Sequence, residues 1–593
     1  MDLNPKQQEA VEWGNGPLLI AAGAGSGKTK TLTARIIKLM QGGVPPENIL
    51  AVTFTNKAAE EMRRRIEQYL NIEIFKYEKQ PFIGTFHSLG ARILKREARL
   101  LGRTSNFSIF DADDSFSALK KTIKELELNQ EKYKLASISG KISKVKNLLL
   151  EPEEFLDHKE LEVYSAYEKA LEKNNAFDFD DLIEKVVRLF RKHSAVLEKY
   201  RRLFHYILVD EYQDVNPAQY ELIKQLASPR ANLSVVGDDA QAIYGWRHAD
   251  FKNFLNFEND WPRAKIVLLE QNYRSTGAVI AAASALIKNN LRQRPKNLWT
   301  ENQNGELIKV VIAEDAEGEA NFVAEKILSA NNGSSTAILY RTNAQSRAVE
   351  QALIENQLPY RIFGGIKFYE RKEIKDLVAG LRFALNPKDS VSAERLEKTL
   401  PKKIGRELIS ELPAMSKKLS LLELISFVIG RGNYFDYLKQ KFTNWKERVE
   451  NVNEFIQFAS GFQSLEEFLE RVSLLQSTDA PTLNNPTVQE SSYPIIQLMT
   501  IHMAKGLEFD QVFVIGVSEG MLPHQMSYGS LDELEEERRL MYVAMTRARK
   551  NLCLSFTNLP SRFLYEIPPE LTEFINLKNG LSELPDEDGI YIE

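Results

Sequence analysis

The chain has 593 residues, 43% hydrophobic and 27% charged, a formal net charge of −5 and one cysteine. That length exceeds one ordinary hydrophobic core and predicts about three or four domains. A lone cysteine excludes an internal disulfide framework and a cysteine-cluster zinc site, no apolar run is long enough to span a bilayer, and the acidic balance argues only weakly against a nucleic-acid partner, because binding follows local patches.

In chain order, "MDLNPKQQEAVEW" has no basic-then-apolar signal pattern, so a reducing cytoplasm is the expected compartment. The first predicted strand is "LLIAA" (18–22), a continuous apolar run. It leads into Ala22-Gly23-Ala24-Gly25-Ser26-Gly27-Lys28-Thr29 and then a helical pattern. That is the context a phosphate-binding loop requires, although Ala22 stands where the strict pattern has Gly. Backbone N–H groups of such a loop point at phosphate oxygens; Lys28 would reach the β- and γ-phosphates of ATP, and Thr29 would ligate Mg²⁺. A Gly-rich turn without a ligand is the plainer reading, and the flanking strand and helix weigh against it. "ILAVTF" (49–54) is the next strand. From about Arg103 to Val187 the text becomes helical and highly charged, as in "FSALKKTIKELELNQEKYKL", predicting an inserted helical subdomain.

"YILVDE" (206–211), "LSVVGD" (233–238) and "KIVLLEQ" (265–271) resume the strand pattern and predict a parallel sheet covered on both faces. The strand at 206 delivers Asp210 and Glu211 at its carboxyl end, where ligands bind in open α/β sheets. Asp210 would hold Mg²⁺, and Glu211 would position and activate the attacking water. A second strand set follows: "TAILYRT", "IIQLMTIH", "QVFVIGV" and "NLCLSFT", the last carrying Cys553 as a core thiol. It is interrupted by helical text such as "NWKERVENVNEFIQFA" and "SLEEFLERVSLL", then by a polar linker, Gln476 to Ser492. This second core contains no second phosphate loop, so one ATP is expected between two cores, with the second supplying cations. Arg274 in "QNYRS" and Arg547 in "VAMTRA" are candidates for stabilising charge on the γ-phosphate.

The fold class is therefore α/β, with two parallel-sheet cores each carrying a helical insertion. The expected boundaries are 1–103 with 188–276 for the first core and 104–187 for its insertion. The second core takes 277–386 with 493–570, its insertion 387–492, and 571–593 a short acidic tail.

From "LNPKQQEAV" to "PSRFLYEIP", nearly the whole chain resembles the superfamily 1A DNA helicases of the UvrD, Rep and PcrA type. The resemblance implies two RecA-like cores, ATP and Mg²⁺. It also implies 3′ to 5′ stepping on single-stranded DNA, strand separation at single-strand/duplex junctions, and a monomer in the free state. It gives Gln7 the adenine edge, Tyr273 the adenine face and Glu508 the ribose. Gln241 would sense the γ-phosphate and link it to the DNA site, with Arg274 and Arg547 in the roles above. Lys30 stands where relatives often have Arg. The implied single-strand track comprises Phe54, Thr55, Asn56, Thr85, His87, Tyr244, Trp246, Arg247, Arg341, Asn343, Thr500 and His502. Aromatic faces stack bases without reading sequence, while hydroxyls, amides and cations hold phosphates. Taken singly, Trp246 is more often core, and His87 or His502 a satisfied loop histidine.

Two departures stand out. The second insertion keeps "ERVENVNEFI" but its middle looks cut down, and "PKKIGRE" has Lys403 in place of the first glycine of a duplex-gripping Gly-x-Gly turn, with Gly405 retained. The tail "ELPDEDGIYIE" lacks the small partner-binding module that some relatives append. Three alternatives stay open: a translocase that clears proteins from single strands with little unwinding, RNA as the strand followed, and an ATP switch without turnover. Lys28, Asp210, Glu211, Gln241 and Arg547 argue against the last.

Overall fold

The computed structural model describes residues 2–70, 80–128, 133–330, 333–387, 389–469, 472 and 494–578. The chain divides into two compact units: Met1–Arg274 with Asn290–Asn302, and Ser275–Asn289 with Gln303–Glu593. The short segment Asn290–Asn302 thus belongs with the first unit, whereas the sequence boundaries place it in the second core.

The first unit runs through β1 (Leu18–Ala22), β2 (Ile49–Thr53), β3 (Phe82–Thr85), β4 (Ser108–Phe110), β5 (Ala176–Asp178), β6 (Tyr206–Val209), β7 (Leu233–Gly237) and β8 (Lys265–Leu269). Six of these form a wholly parallel sheet in the order β3-β2-β6-β7-β1-β8. Side chains alternate across it with the period of two that a strand imposes. Leu19, Ala21, Leu50, Val52 and Val235 join one core with Phe86, Ile93 and Val186. Leu18, Ile20, Ile49, Ala51 and Val236 join the other with Leu32, Ile36 and Met62. Both faces are covered, which is why these strands read as unbroken apolar runs.

The first insertion is not purely helical. β4 and β5 pair in a parallel two-stranded sheet at its root. Beside it, fully buried Lys146 lies 2.6 Å from Asp178, 2.8 Å from Asp181 and 2.9 Å from Glu168, so the buried charges are paired.

The second unit contains β9 (Ile308–Ile312), β10 (Thr336–Tyr340), β11 (Tyr360–Ile362), β12 (Ile496–Thr500), β13 (Phe509–Val514), β14 (Ala548–Phe556) and β15 (Thr572–Asn576). They form one parallel sheet, ordered β11-β12-β10-β13-β14-β9-β15. The expected acidic tail from 571 therefore begins with an edge strand, since β15 pairs with β9. Cys553 is buried in β14, where burial pushes its thiol up to about 12. The insertion's core starts before 387: Phe368, Ile374 and Leu377 pack with Leu408, Leu424 and Phe455. "PKKIGRE" opens the helix Lys402–Met415 rather than a turn. Gly405 is buried there, and a Cβ on it would sit 3.2 Å from the Leu396 carbonyl oxygen, so its small size permits close helix packing. The linker Gln476–Ser492 and the acidic "ELPDEDGIYIE" lie outside the described residues. No helix among the described residues is long and apolar enough to cross a membrane.

Candidate functional site

The phosphate loop connects β1 to the helix Lys28–Gln41. Gly25 has φ +66° and Gly27 φ +84°, both left-handed, which glycine adopts without Cβ strain. Space forbids a side chain as well: a Cβ on Gly25 would approach Asn272 Nδ2 to 2.5 Å, and one on Gly27 would approach Gln7 Nε2 to 2.8 Å. Gln7 is buried at the start of the helix Pro5–Glu12, held by a capping box with Asn4, and its Nε2 donates to the Ser26 carbonyl at 2.9 Å. Asn4 Nδ2 donates to the Tyr273 hydroxyl at 2.7 Å, leaving the Tyr273 ring half-exposed beside Gln7's helix. Asn272 Nδ2 donates to the Ala24 carbonyl at 2.7 Å, and its Oδ1 accepts from the Arg274 backbone N–H at 2.8 Å. Gln7, Tyr273 and Arg274 are thus all tied to the loop. Ala22 closes β1, and Lys30 sits partly buried in the first helical turn.

Lys28 Nζ is buried and has no hydrogen-bond partner among the described residues, lying 3.5 Å from Glu211 Oε2. Thr29 Oγ1 donates to Asp210 Oδ2 at 3.1 Å. Burial and the adjacent Glu211 push Asp210 up to about 7, against the pull of Lys28. A buried ammonium with no hydrogen bond, a hydroxyl and a buried carboxylate at the mouth of a left-handed glycine loop fit a Mg²⁺-bound triphosphate. Among the described residues no group of three or more His, Cys, Asp and Glu could hold a metal alone. None is needed, because Mg²⁺ at such sites takes one or two protein ligands together with phosphate oxygens and water. Glu211 has φ 51°, an uncommon conformation outside glycine that clusters at functional sites. Gln213 Nε2 donates to Glu211 Oε2 at 2.6 Å, while Gln213 Oε1 accepts from the Asp238 backbone N–H at 2.9 Å. Gln241 Nε2 in turn donates to Asp238 Oδ2 at 2.7 Å. The carboxylate pair and the proposed γ-phosphate sensor therefore share one hydrogen-bonded chain.

An exposed aromatic surface continues from that chain. Phe54 and Tyr244 stack with centroids 4.9 Å apart, and Trp246 meets Tyr244 edge-on at 6.3 Å. Trp246 is 60% exposed, with the Arg247 guanidinium 4.6 Å from its ring, so it is not core. His87 stacks at 3.9 Å on Phe179, which reaches over from the first insertion and is itself 53% exposed. Burial and the Arg247 cation hold His87 down to about 4, so it is neutral at physiological pH. Thr85 caps the helix Phe86–Glu97 through Ser88 N–H, Thr55 accepts from Ala58 N–H, and Asn56 begins the helix Asn56–Leu70. All lie at carboxyl ends of parallel strands.

In the second unit, Arg341 and Asn343 follow β10, Thr500 ends β12 and His502 follows it. Thr500 caps the turn Ile501–Ala504. Arg341 makes a two-pronged contact with Glu537, its Nη2 donating at 2.8 Å and Nε at 3.1 Å, and Asn343 Nδ2 donates to Glu447. Glu508 is half-exposed, 3.9 Å from Arg549 Nε. Arg547 is buried, donating to the carbonyls of Val543 at 2.9 Å and Leu507 at 3.2 Å.

Residues 3–262 match the UvrD/REP helicase N-terminal domain, and residues 267–443 and 430–559 match the UvrD-like helicase C-terminal domain. The chain belongs to the UvrD/Rep helicase family. It is similar to the ATP-dependent DNA helicase PcrA of Bacillus subtilis (strain 168), 42% identical over 97% of this chain and 87% of the relative. It is also similar to PcrA of Staphylococcus aureus (strain Mu50), 40% identical over 96% of this chain and 87% of the relative. The first alignment extends over 648 positions although this UvrD/Rep chain has 593 residues, so the relative carries segments absent here. The C-terminal match breaks in two near 430–443, inside the second insertion.

Reading this helicase from sequence misses Gln213, Asp238, Asn272 and Phe179. Asp238 and Asn272 stand inside quoted motifs and Gln213 two residues past one, but their role is to join one motif to another, which no local pattern encodes. Phe179 lies in "FDFDD", where an apolar residue among aspartates was the available signal.

Proposed function

We propose that the chain is an ATP-driven 3′ to 5′ DNA helicase and single-strand translocase, acting at single-strand/duplex junctions as a cytoplasmic monomer. The observation that carries this reading is the buried Lys28 ammonium, ion-paired with Glu211 but without a hydrogen-bond partner among the described residues, beside Thr29 and Asp210. Backbone N–H groups of Gly23 to Thr29 bind the phosphates, and Lys28 neutralises the charge that develops on them. Mg²⁺, held by Thr29 and Asp210, would neutralise phosphate oxygens and orient the terminal phosphate. Glu211 positions the attacking water and takes its proton, Gln241 senses the γ-phosphate, and Arg274 and Arg547 offset γ-phosphate charge. Gln7, Tyr273 and Glu508 hold the nucleoside. Because Gln241 precedes Tyr244, Trp246 and Arg247 by only a few residues, loss of the γ-phosphate is felt at the base-stacking surface. Alternating grip on the strand then converts hydrolysis into steps.

A second reading is favoured by Gly405 lying within a helix rather than a turn: a translocase that clears proteins from single strands and unwinds weakly. The test is ATPase activity without nucleic acid, with single-stranded DNA and with single-stranded RNA, beside unwinding of duplexes bearing a 3′ or a 5′ tail. Stimulation by DNA and unwinding from the 3′ tail are expected. ATPase indifferent to DNA would end the proposal, and stepping without unwinding would favour the second reading.

A further inference from the structure

Residues Asn290–Asn302 leave the second unit's chain, lie on the first unit, and return. They form a strap with specific contacts. Leu298 fills the space beside Gly23, where a Cβ would come within 2.2 Å of its Cδ2. Asn272 N–H donates to the Trp299 carbonyl at 2.8 Å, and Thr300 Oγ1 donates to the Asn272 carbonyl at 2.8 Å. The Arg294 backbone N–H donates to Asp239 Oδ2 at 2.8 Å. Between these anchors, buried Lys296 lies 3.1 Å from Asp238 Oδ1 and donates to Asp239 Oδ1, with both carboxylates themselves buried.

We propose that Lys296 is a positioning residue for ATP hydrolysis, setting both Gln241 and Glu211 through Asp238. The route is short. Asp238 Oδ2 accepts from Gln241 Nε2, and the Asp238 N–H is read by Gln213, whose amide donates to Glu211. Asp238 accepts from Gln241 as an ionised carboxylate. Burial alone pushes its carboxyl up, and the Lys296 and Lys28 cations more than reverse this. Without the Lys296 ammonium, a buried carboxylate loses the cation 3.1 Å from it and either protonates or moves. Either change re-aims the Gln241 amide and slackens Gln213. A plainer role, charge balance that merely holds the fold, makes different predictions. The proposal rests on the hydrolytic roles given to Glu211 and Gln241 above.

Lys296→Met keeps the length without the charge, and Lys296→Arg keeps the charge. Each full-length variant is compared with the unaltered chain for thermal melting, binding of a fluorescent ATP analogue with Mg²⁺, and DNA-stimulated ATPase. Lys296→Met is expected to lower kcat about thirtyfold, with KM and analogue affinity within about threefold, and Lys296→Arg to recover much of the loss. Adding Gln241→Ala to Lys296→Met is expected to cost less than about threefold more, because both act through one contact. Additive losses, or a parallel fall in kcat, affinity and melting temperature, would overturn the assignment. Should Lys296→Met not fold, Lys296→Met with Asp239→Asn rebalances the cluster; normal kcat there overturns the proposal, and a large loss supports it. Amide hydrogen exchange on the nucleotide-free protein provides an arm independent of turnover. Faster exchange confined to Gln213 and Asp238–Gln241 is expected in Lys296→Met, and unchanged exchange counts against the proposal even if the ATPase reading itself were to fail.

Discussion

Replacing Trp246 with alanine separates a nucleic-acid role from a structural one. The ring is 60% exposed on the turn Gly245–Arg247, so its removal leaves no cavity. What the fold loses is the Arg247 contact at 4.6 Å and the edge contact with Tyr244 at 6.3 Å. An exposed cation–π contact contributes about 0.5–1 kcal/mol, so the melting temperature is expected to move by no more than about 2 °C. A base stacked on an aromatic ring contributes about 1–3 kcal/mol, which converts to a Kd weaker by about 5- to 150-fold. The assay is fluorescence anisotropy with a labelled oligothymidine, run at several salt concentrations. Phosphate contacts set the salt slope and the indole carries no charge, so affinity should fall while the slope holds. DNA-free ATPase should be unchanged. Affinity preserved within about twofold, or a collapse of melting temperature together with basal ATPase, would refute the reasoning.

Glu211→Gln is expected to keep Mg·ATP binding while cutting turnover at least about a hundredfold; near-normal ATPase would remove Glu211 from its role. His87 titrates near 4 in the fold against an ordinary 6.5, held down by burial and by Arg247. The unfolded chain therefore binds a proton that the folded site refuses, so the stability is complete above about pH 6.5 and lost as pH falls toward 4. His87→Gln should flatten that slope in urea melts, and a slope identical to the unaltered chain would be the contrary result. Glu447→Gln weakens the charge-assisted hold on Asn343 and should tighten single-strand binding by about two- to tenfold if strand and Glu447 compete for Asn343; unchanged or weaker binding would count against that competition.

Legibility in the sequence followed local pattern and stopped where contacts are distant. β1, β2 and β7 are five-residue apolar runs, buried at every position, and each is visible without alignment. β3 holds four residues including Gly84, and β11 only three. β15 is a half-exposed edge strand whose pairing is supplied by β9 rather than by its own composition. The glycine loop and the carboxylates at the end of β6 were legible because each is a contiguous motif. That Thr29 meets Asp210 across 181 positions was legible only indirectly, because both motifs were assigned to one Mg²⁺. The strap was unreadable for the same reason: Lys296 is one lysine among polar residues until the fold brings Asp238 and Asp239 to it.

Arg341 and Asn343 differ physically from the aromatic surface proposed to share their task. Trp246 is exposed, so a base adds contacts there and displaces only water. Arg341 already holds Glu537 with two donors, and Asn343 already donates to Glu447. A phosphate at either must replace a carboxylate, so the net gain is the difference between two charge-assisted contacts rather than the whole of one. On the strand track that the resemblance implies, the hold of Arg341 and Asn343 would be conditional on release of their own acidic partners. Those partners are not scattered. Glu447, Glu450 and Glu454 occupy successive turns of the helix Trp445–Ala459, where Glu450 lies 3.9 Å from His524 and Glu454 accepts from Arg347 at 2.8 Å. This helix carries "ERVENVNEFI", the segment of the second insertion that resembles the family. Through Glu447 this insertion would restrain Asn343, in the loop after β10. Directional stepping requires such an asymmetry, because two equal and permanent grips would pin the strand, whereas one standing grip and one releasable grip let it pass.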